Sequence, residues 1–240
     1  MRTAQPISSS IDRWIQQLLT WTSGQIDLIK TVALVFMVLD HTNRILSLGH
    51  DWMTILGRGA FPLFGLVWAA NLTRYSCIRQ SSLNHLWGWA VIAQFSYFLA
   101  GFPWWQGNIL FAFAITEQAI LWFEQRTRTS VLLSIALVIA WLPLSLTSYG
   151  VAGVFMLINS YRLFRFNSMV ERIGYGVLWV FMVLMMNISI SSVAAIAGIV
   201  ITGIVLSVCK QYGQNMKRLW PKNTFVLFYV VHLSILGVMA

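Results

Sequence analysis

The chain alternates between long apolar segments and short polar connections. A helix that crosses a hydrocarbon core of about 30 Å needs about 20 mostly apolar residues, and the apolar segments approach that length. The pattern therefore predicts an all-α fold, a polytopic integral membrane bundle of about nine transmembrane helices. Their expected bounds are residues 27–47, 53–72, 85–101, 108–123, 130–146, 149–164, 173–188, 191–208 and 223–240.

The segment before the first predicted span has an amphipathic periodicity. Its apolar residues recur at helical spacing opposite polar ones, which is typical of a helix that lies in the membrane interface. No apolar core followed by a small-residue cleavage site precedes residue 27, so a cleaved signal peptide is not expected. We therefore divide the chain into a cytoplasmic tail with an interfacial helix, 1–26, and a transmembrane bundle, 27–240. The apolar positions of the interfacial helix are Ile11, Trp14, Ile15, Leu18 and Leu19.

The charges of the chain are few and mostly basic. Of all residues 58% are hydrophobic and only 10% are charged, against about 25% charged in soluble domains. The net charge of +9 does not indicate nucleic acid, because the basic residues are not gathered on a soluble face. Thirteen of the 16 lie in the tail or in alternate connections, which predicts a cytoplasmic N-terminus and an outer C-terminus. They are Arg2, Arg13, Arg74, Arg79, Arg126, Arg128, Arg162, Arg165, Arg172, Lys210, Lys217, Arg218 and Lys222.

The first predicted span carries an unusual polar stripe. A charged side chain in the hydrocarbon region costs at least about 2.5–3.5 kcal/mol, so an intramembrane ionisable group indicates a functional site. Lys30 and His41 are separated by about 16 Å of helical rise on nearly one face. A long cofactor fits that spacing, with its phosphate on Lys30 and its reactive end at His41. The stripe consists of Asp27, Lys30, Asp40, His41 and Arg44, and we expect it to face the bundle interior or a wet cavity.

A purely structural interpretation of the stripe remains open. Asp27 lies three residues before Lys30, and Asp40 lies four before Arg44. Helical neighbours at these spacings can form ion pairs, so the stripe could be a ladder of salt bridges. Such a ladder does not explain why His41 is part of the stripe.

The second predicted span opens with Gly57, Arg58, Gly59 and, three residues later, Pro62. Pro62 removes a backbone donor and the glycines permit close backbone approach, so Arg58 lies where the helix is weakest. Arg58 is then an anion or carbonyl binder beside His41, or it belongs to a kinked packing helix and extends outward. Other polar residues are interpreted as interhelical contacts: Asn71, Asn108, Tyr149, Asn159, Asn187 and His232. His50, His85 and Glu117 receive no role.

These segments resemble the TraX family of conjugative pilin acetylases. The resemblance is carried by residues 24–34, 37–41, 57–64 and 108–111 and extends along essentially the whole chain. Lys30, ten intervening residues and His41 also resemble the signature of the acyltransferase-3 and transmembrane acyl-transferase group. The resemblance implies an acetyl-CoA-dependent N-acetyltransferase of the bacterial inner membrane that acetylates the N-terminal amine of the conjugative pilin subunit.

The resemblance also implies roles for individual residues. His41 would be catalytic, as general base or acetyl carrier, and Lys30 would help to bind acetyl-CoA. The expected partners are pilin, acetyl-CoA and membrane lipid, with no metal and no nucleic acid. From another class, a non-enzymatic pilin assembly factor or a proton-linked transporter could use the same polar stripe. The expected catalytic residues are His41, Asp40 and Arg58, and the expected cofactor-binding residues are Lys30, Asp27, Arg44 and Asn108.

Overall fold

A computed structural model describes residues 7–166, 168–221 and 223–240, with side chains from residue 13 onward. Within these residues the regular secondary structure is entirely helical, which confirms the predicted all-α fold. A short 3-10 turn, Leu142–Leu144, follows the seventh helix. The α-helices are α1 (Ile7–Leu19), α2 (Ser23–Ile45), α3 (Asp51–Gly57), α4 (Ala60–Leu72), α5 (Gln80–Leu99), α6 (Ile109–Glu124), α7 (Arg128–Trp141), α8 (Gly150–Arg165), α9 (Met169–Asn187), α10 (Ser192–Tyr212) and α11 (Thr224–Met239).

Each predicted span corresponds to one helix except the second, which is divided into α3 and α4. The break falls at Arg58 and Gly59, where the glycines and the nearby proline predicted the weakest helical geometry. Pro62 is the third residue of α4, a position whose backbone N–H has no partner within the helix. The break places the backbone of Arg58 between two helices and leaves the start of α4 intact.

Several helices have the length and composition of membrane spans. Among the described residues, three segments meet both criteria: Asp51–Leu72, α9 and α10. Helices α1 and α2 form a fourth if the bent pair is one span, and α7 and α11 are shorter apolar helices. The structure thus fits a membrane helix bundle, and the number of nine spans stays a prediction.

Helix α2 begins four residues before the predicted span. Thr22 and Gln25 form a reciprocal capping box, in which the Thr22 hydroxyl accepts from the Gln25 backbone N–H and Gln25 Oε1 accepts from that of Thr22. The segment before this cap meets α2 at 76°, and Trp14 on it is exposed. The side chain of Ile11 lies outside the described residues, as do Arg2 and Lys222.

The bundle has two distinct ends. Connections at residues 73–79, 125–127 and 213–221 form one end, which we call the basic end because Arg74, Arg126 and Arg218 lie there. The connections at 46–50, 100–108, 142–149 and 188–191 form the opposite end. Between the two ends, α2, α4, α8, α9 and α10 share a tightly packed core. Its fully buried members include Ile29, Leu63, Met156, Leu157 and Val183.

Candidate functional site

A cavity of about 670 Å³ lies inside the bundle. Its wall includes Arg79, which follows α4 at the basic end, and Thr147 at the opposite end. The start of α4 belongs to that opposite end, because Phe61 stacks on Tyr149 with ring centroids 4.7 Å apart. The cavity therefore extends through the depth of the bundle.

The cavity wall contains most of the polar stripe. The wall includes four residues of the stripe: Lys30, Asp40, His41 and Arg44. Arg58, from the second predicted span, also lines it. The prediction that the stripe faces a cavity is confirmed for Lys30, Asp40, His41 and Arg44. The chemical roles assigned to these residues stay predictions.

His41 forms a hydrogen-bonded pair with His232 of α11. His41 Nδ1 lies 2.8 Å from His232 Nε2, and the two rings are nearly coplanar, with 4° between their planes. His232 Nδ1 lies 3.0 Å from the carbonyl oxygen of Phe228. A carbonyl only accepts, so the hydrogen-bond pattern of the neutral pair assigns a proton to His232 Nδ1 and makes its Nε2 an acceptor. His41 Nδ1 must then donate, which leaves His41 Nε2 with a free lone pair.

No sequence pattern connects His232 with His41. The two residues are 191 positions apart, and a histidine within an apolar helix most often forms an ordinary interhelical contact. The one available signal is the histidine itself, a rare residue in a helix as apolar as α11. The pair is therefore a feature that only the fold reveals.

Arg58 and Asp40 form a buried ion pair beside the histidines. Arg58 Nη2 contacts Asp40 Oδ1, and Arg58 Nε donates to the carbonyl oxygen of Thr54 at 3.0 Å. Arg58 is only 7% exposed, so the interpretation of an outward-extending arginine is wrong. Gly57 permits the contact, because a Cβ there would lie 2.5 Å from Asp40 Cβ.

The structure does not support the alternative interpretation of the stripe as a salt-bridge ladder. Within the described residues, no ion pair joins Asp27 to Lys30 or Asp40 to Arg44. The two basic side chains face aromatic rings instead: Lys30 Nζ lies 5.1 Å from the ring centroid of Phe225, and Arg44 Cζ lies 4.9 Å from that of Phe102. The Asp40–Arg44 pair fails because Asp40 contacts Arg58 at the break between α3 and α4. Asp27 instead accepts backbone N–H groups of the connection before α11.

Asp27 makes a structural contact at the basic end. Its Oδ2 accepts the backbone N–H groups of Leu219 at 2.9 Å and Trp220 at 3.1 Å. The carboxylate thereby ties the start of α2 to the connection between α10 and α11. Asp27 is absent from the cavity wall, so the placement does not support its predicted contact with a cofactor.

Asn108 is likewise engaged away from the cavity. Its Oδ1 accepts from the backbone N–H of Leu110 at 3.0 Å, and so caps α6. Its Nδ2 donates to the carbonyl oxygen of Ala90 at 2.8 Å and to Gln94 Oε1 at 2.9 Å. Because the side chain is fully buried and absent from the cavity wall, the predicted cofactor contact is not supported here either.

The substitution Gly57→Ala is expected to destabilise the protein. The new Cβ would overlap Asp40 Cβ and Cγ, so Asp40 must move away from residue 57, at a typical cost for overpacking of about 1–3 kcal/mol. Thermal unfolding in detergent should show a lowered midpoint. Gly88→Ala is the matched control, because a Cβ there meets no atom within 4 Å. An equal midpoint for the two variants would contradict the close approach at Gly57.

The fold and the site together define a membrane-type helical bundle with a histidine pair and an ion pair beside a deep internal cavity. The family model described as TraX protein matches residues 25–240, and the chain belongs to the TraX family. The chain is 48% identical over 234 residues to Protein TraX of Escherichia coli, covering 98% of this chain and 94% of that one. It is 49% identical over 229 residues to Protein TraX of Escherichia coli strain K12, covering 95% and 92%. No solved structure matches.

Proposed function

We propose that the protein is a membrane acetyltransferase that moves acetyl from cytoplasmic acetyl-CoA to the N-terminal amine of conjugative pilin. The observation that carries this proposal is the cavity, which extends between the two ends of the bundle and holds His41 with a free Nε2. In this proposal the acetyl donor and the acceptor amine meet in the cavity from opposite ends of the bundle. The resemblance to the TraX pilin acetylases supplies the substrates.

The proposed arrangement places the basic end in the cytoplasm. Lys and Arg in short connections are retained on that side, so Lys30 faces the pool of acetyl-CoA and His41 lies toward the periplasm. Nine crossings of the bacterial inner membrane then put the N-terminus in the cytoplasm and the C-terminus in the periplasm. Helix α1, which precedes the bend, lies along the cytoplasmic interface.

In the proposed reaction Lys30 binds the donor phosphates as a point charge. His41 Nε2 takes a proton from the pilin amine while the amine attacks the thioester carbonyl, or Nε2 itself attacks and carries the acetyl group. In direct transfer the C–S bond breaks, and Nε2 passes the amine proton to the departing thiolate. In two-step transfer the C–S bond breaks as the acetyl–Nε2 bond forms, and the thiolate takes up a proton from solvent. The pilin amine then attacks the acetyl group, which breaks the acetyl–Nε2 bond, and the amine releases a proton to solvent. Arg58 has five N–H donors, of which Asp40 and Thr54 engage two, so others are available to the oxyanion.

His232 is a positioning residue in this scheme, and replacing it with alanine is expected to lower kcat about 10–100-fold with little change in KM. Without His232, the His41 Nδ1 proton loses its acceptor, and the tautomer with an unprotonated Nε2 is no longer held. His232→Gln should retain much of the activity, because a glutamine oxygen can accept the same proton. Steady-state kinetics of the two variants check this. Equal losses for alanine and glutamine would contradict the positioning role.

Pilin mass spectrometry tests the proposed function directly. Inverted membrane vesicles that contain the protein and mature pilin are supplied with labelled acetyl-CoA. The control is the same pilin with its N-terminal amine chemically blocked. The expected result is label on the N-terminal amine of mature pilin, with no transfer when the same donor reaches only the periplasmic face. If the wild-type protein leaves that amine unmodified, the proposal is wrong, and an assembly factor or a proton-linked transporter takes its place.

A further inference from the structure

The cavity wall between the levels of His41 and Lys30 is mixed. The aromatic side chains of Phe64, Trp68 and Phe113 line it together with the polar side chains of Glu117 and Asn71. Glu117 is 4% exposed, and its Oε2 accepts from Trp68 Nε1 at 3.0 Å. Within the described residues no second donor reaches this carboxyl group, and the Asn71 side chain has no hydrogen-bond partner.

Glu117 lies between the levels of His41 and Lys30. Ile109, at the start of α6, packs against the cluster that contains Phe102 and Tyr229, and both of these rings lie beside His41. Glu117 follows Ile109 by eight residues, which is about 12 Å of helical rise toward the basic end. A donor that extends through the cavity from Lys30 to His41 therefore crosses the level of this carboxyl group, which lines the same cavity.

A carboxyl group in such a wall needs hydrogen-bond donors. Burying a polar group without partners is costly, and a carboxyl group keeps acceptor capacity in either protonation state. Trp68 satisfies one acceptor position and leaves others directed at the cavity. A fatty-acyl or polyprenyl chain has no N–H or O–H group to offer, whereas a pantetheine arm has two amides and a hydroxyl on an otherwise apolar chain.

We propose that Glu117 and Asn71 form a subsite for the pantetheine arm of the acyl donor. The Glu117 carboxyl accepts an amide N–H or the hydroxyl of the arm, and the Asn71 amide pairs with a second polar group. The aromatic rings cover the apolar parts between them. This subsite selects pantetheine thioesters over lipid-linked acyl donors, and it rests on the proposed function, in which the donor extends from Lys30 to His41.

Binding of CoA itself tests the subsite without any acetyl transfer. In nanodiscs, Glu117→Met is expected to raise the Kd for CoA about tenfold, the usual effect of one lost hydrogen bond to a buried group. Glu124→Met is the matched control, since Glu124 lies two turns further along α6, accepts from the Tyr161 hydroxyl at 2.7 Å and is absent from the cavity wall. Glu117→Gln, which keeps the shape and an acceptor oxygen, should fold and show a smaller increase.

A truncated donor supplies the second measurement. S-acetyl-N-acetylcysteamine lacks the hydroxyl and one amide of the arm, so Glu117→Met should lower kcat/KM about tenfold for acetyl-CoA and less than twofold for the short donor. Equal losses for both donors, or unchanged CoA binding by both Glu117 variants, would overturn the subsite. If the wild type binds CoA in a Glu117-dependent way and acetylates no pilin, the subsite stands and the proposed function fails. If pilin is acetylated and CoA binding does not depend on Glu117, the proposed function stands and the subsite fails.

Discussion

Replacing His41 with alanine is expected to reduce acetyl transfer to pilin at least about 100-fold. A positioned general base contributes about 10²–10⁴-fold to such reactions, and His41 is the cavity residue whose free imidazole nitrogen the hydrogen-bond pattern defines. Alanine removes both the proton acceptor and the candidate acetyl carrier. Initial rates in proteoliposomes, with pilin analysed by mass spectrometry, measure the effect.

The matched control for this substitution is His85→Ala. His85 is exposed on α5 and absent from the wall of the large cavity, so its loss should leave the rate within about twofold of wild type. Both variants must be present in the membrane in equal amounts. Full acetylation of pilin by the His41 variant would refute the assigned site. Without pilin, labelled donor should leave acetyl on His41 in a two-step reaction and none in direct transfer.

Breaking the buried ion pair is expected to have the second large effect. Arg58→Met leaves Asp40 without its partner in the protein interior, which typically costs about 3–5 kcal/mol. The same change removes the proposed oxyanion donor, and losing one such donor typically lowers kcat about 10²–10³-fold. Thermal unfolding in detergent and the pilin assay report the two effects separately.

A double variant separates stability from catalysis at this pair. Asp40→Leu with Arg58→Met replaces both charges by apolar groups, which is often neutral or stabilising in a protein interior. The double variant should therefore recover most of the unfolding midpoint and remain inactive. Recovery of activity together with stability would show that Arg58 acts only through the packing of the bundle.

The sequence predicts which way a helix face is turned better than it predicts which residues that face contacts. Helical periodicity places Lys30 and His41 on one face, and the cost of charge in hydrocarbon predicts that this face is turned inward, as the structure shows. Periodicity carries no information about which helix lies opposite that face. The ion pair of Asp40 with Arg58 depends on the close contact at Gly57 between α2 and α3, and the histidine pair depends on contact between α2 and α11.

Two predicted site residues make structural contacts, because a polar residue in an apolar sequence has two explanations. Asn108 stands directly before an apolar run, which is also the signature of a helix N-cap, and the structure gives it that capping contact. Asp27 accepts backbone donors of a connection about 190 residues further along the chain. For such a contact, the local pattern contains no signal.

The pairing of His41 with His232 joins the first long helix of the chain to its last one. During synthesis α2 leaves the ribosome long before α11 does, so throughout that time the imidazole of His41 lacks the partner that sets its tautomer. The Asp27 contact with Leu219 and Trp220 can form only when the connection leading to α11 has emerged. The order of translation itself therefore delays assembly of the site, and a chain truncated before α11 would retain His41 but lack the pair.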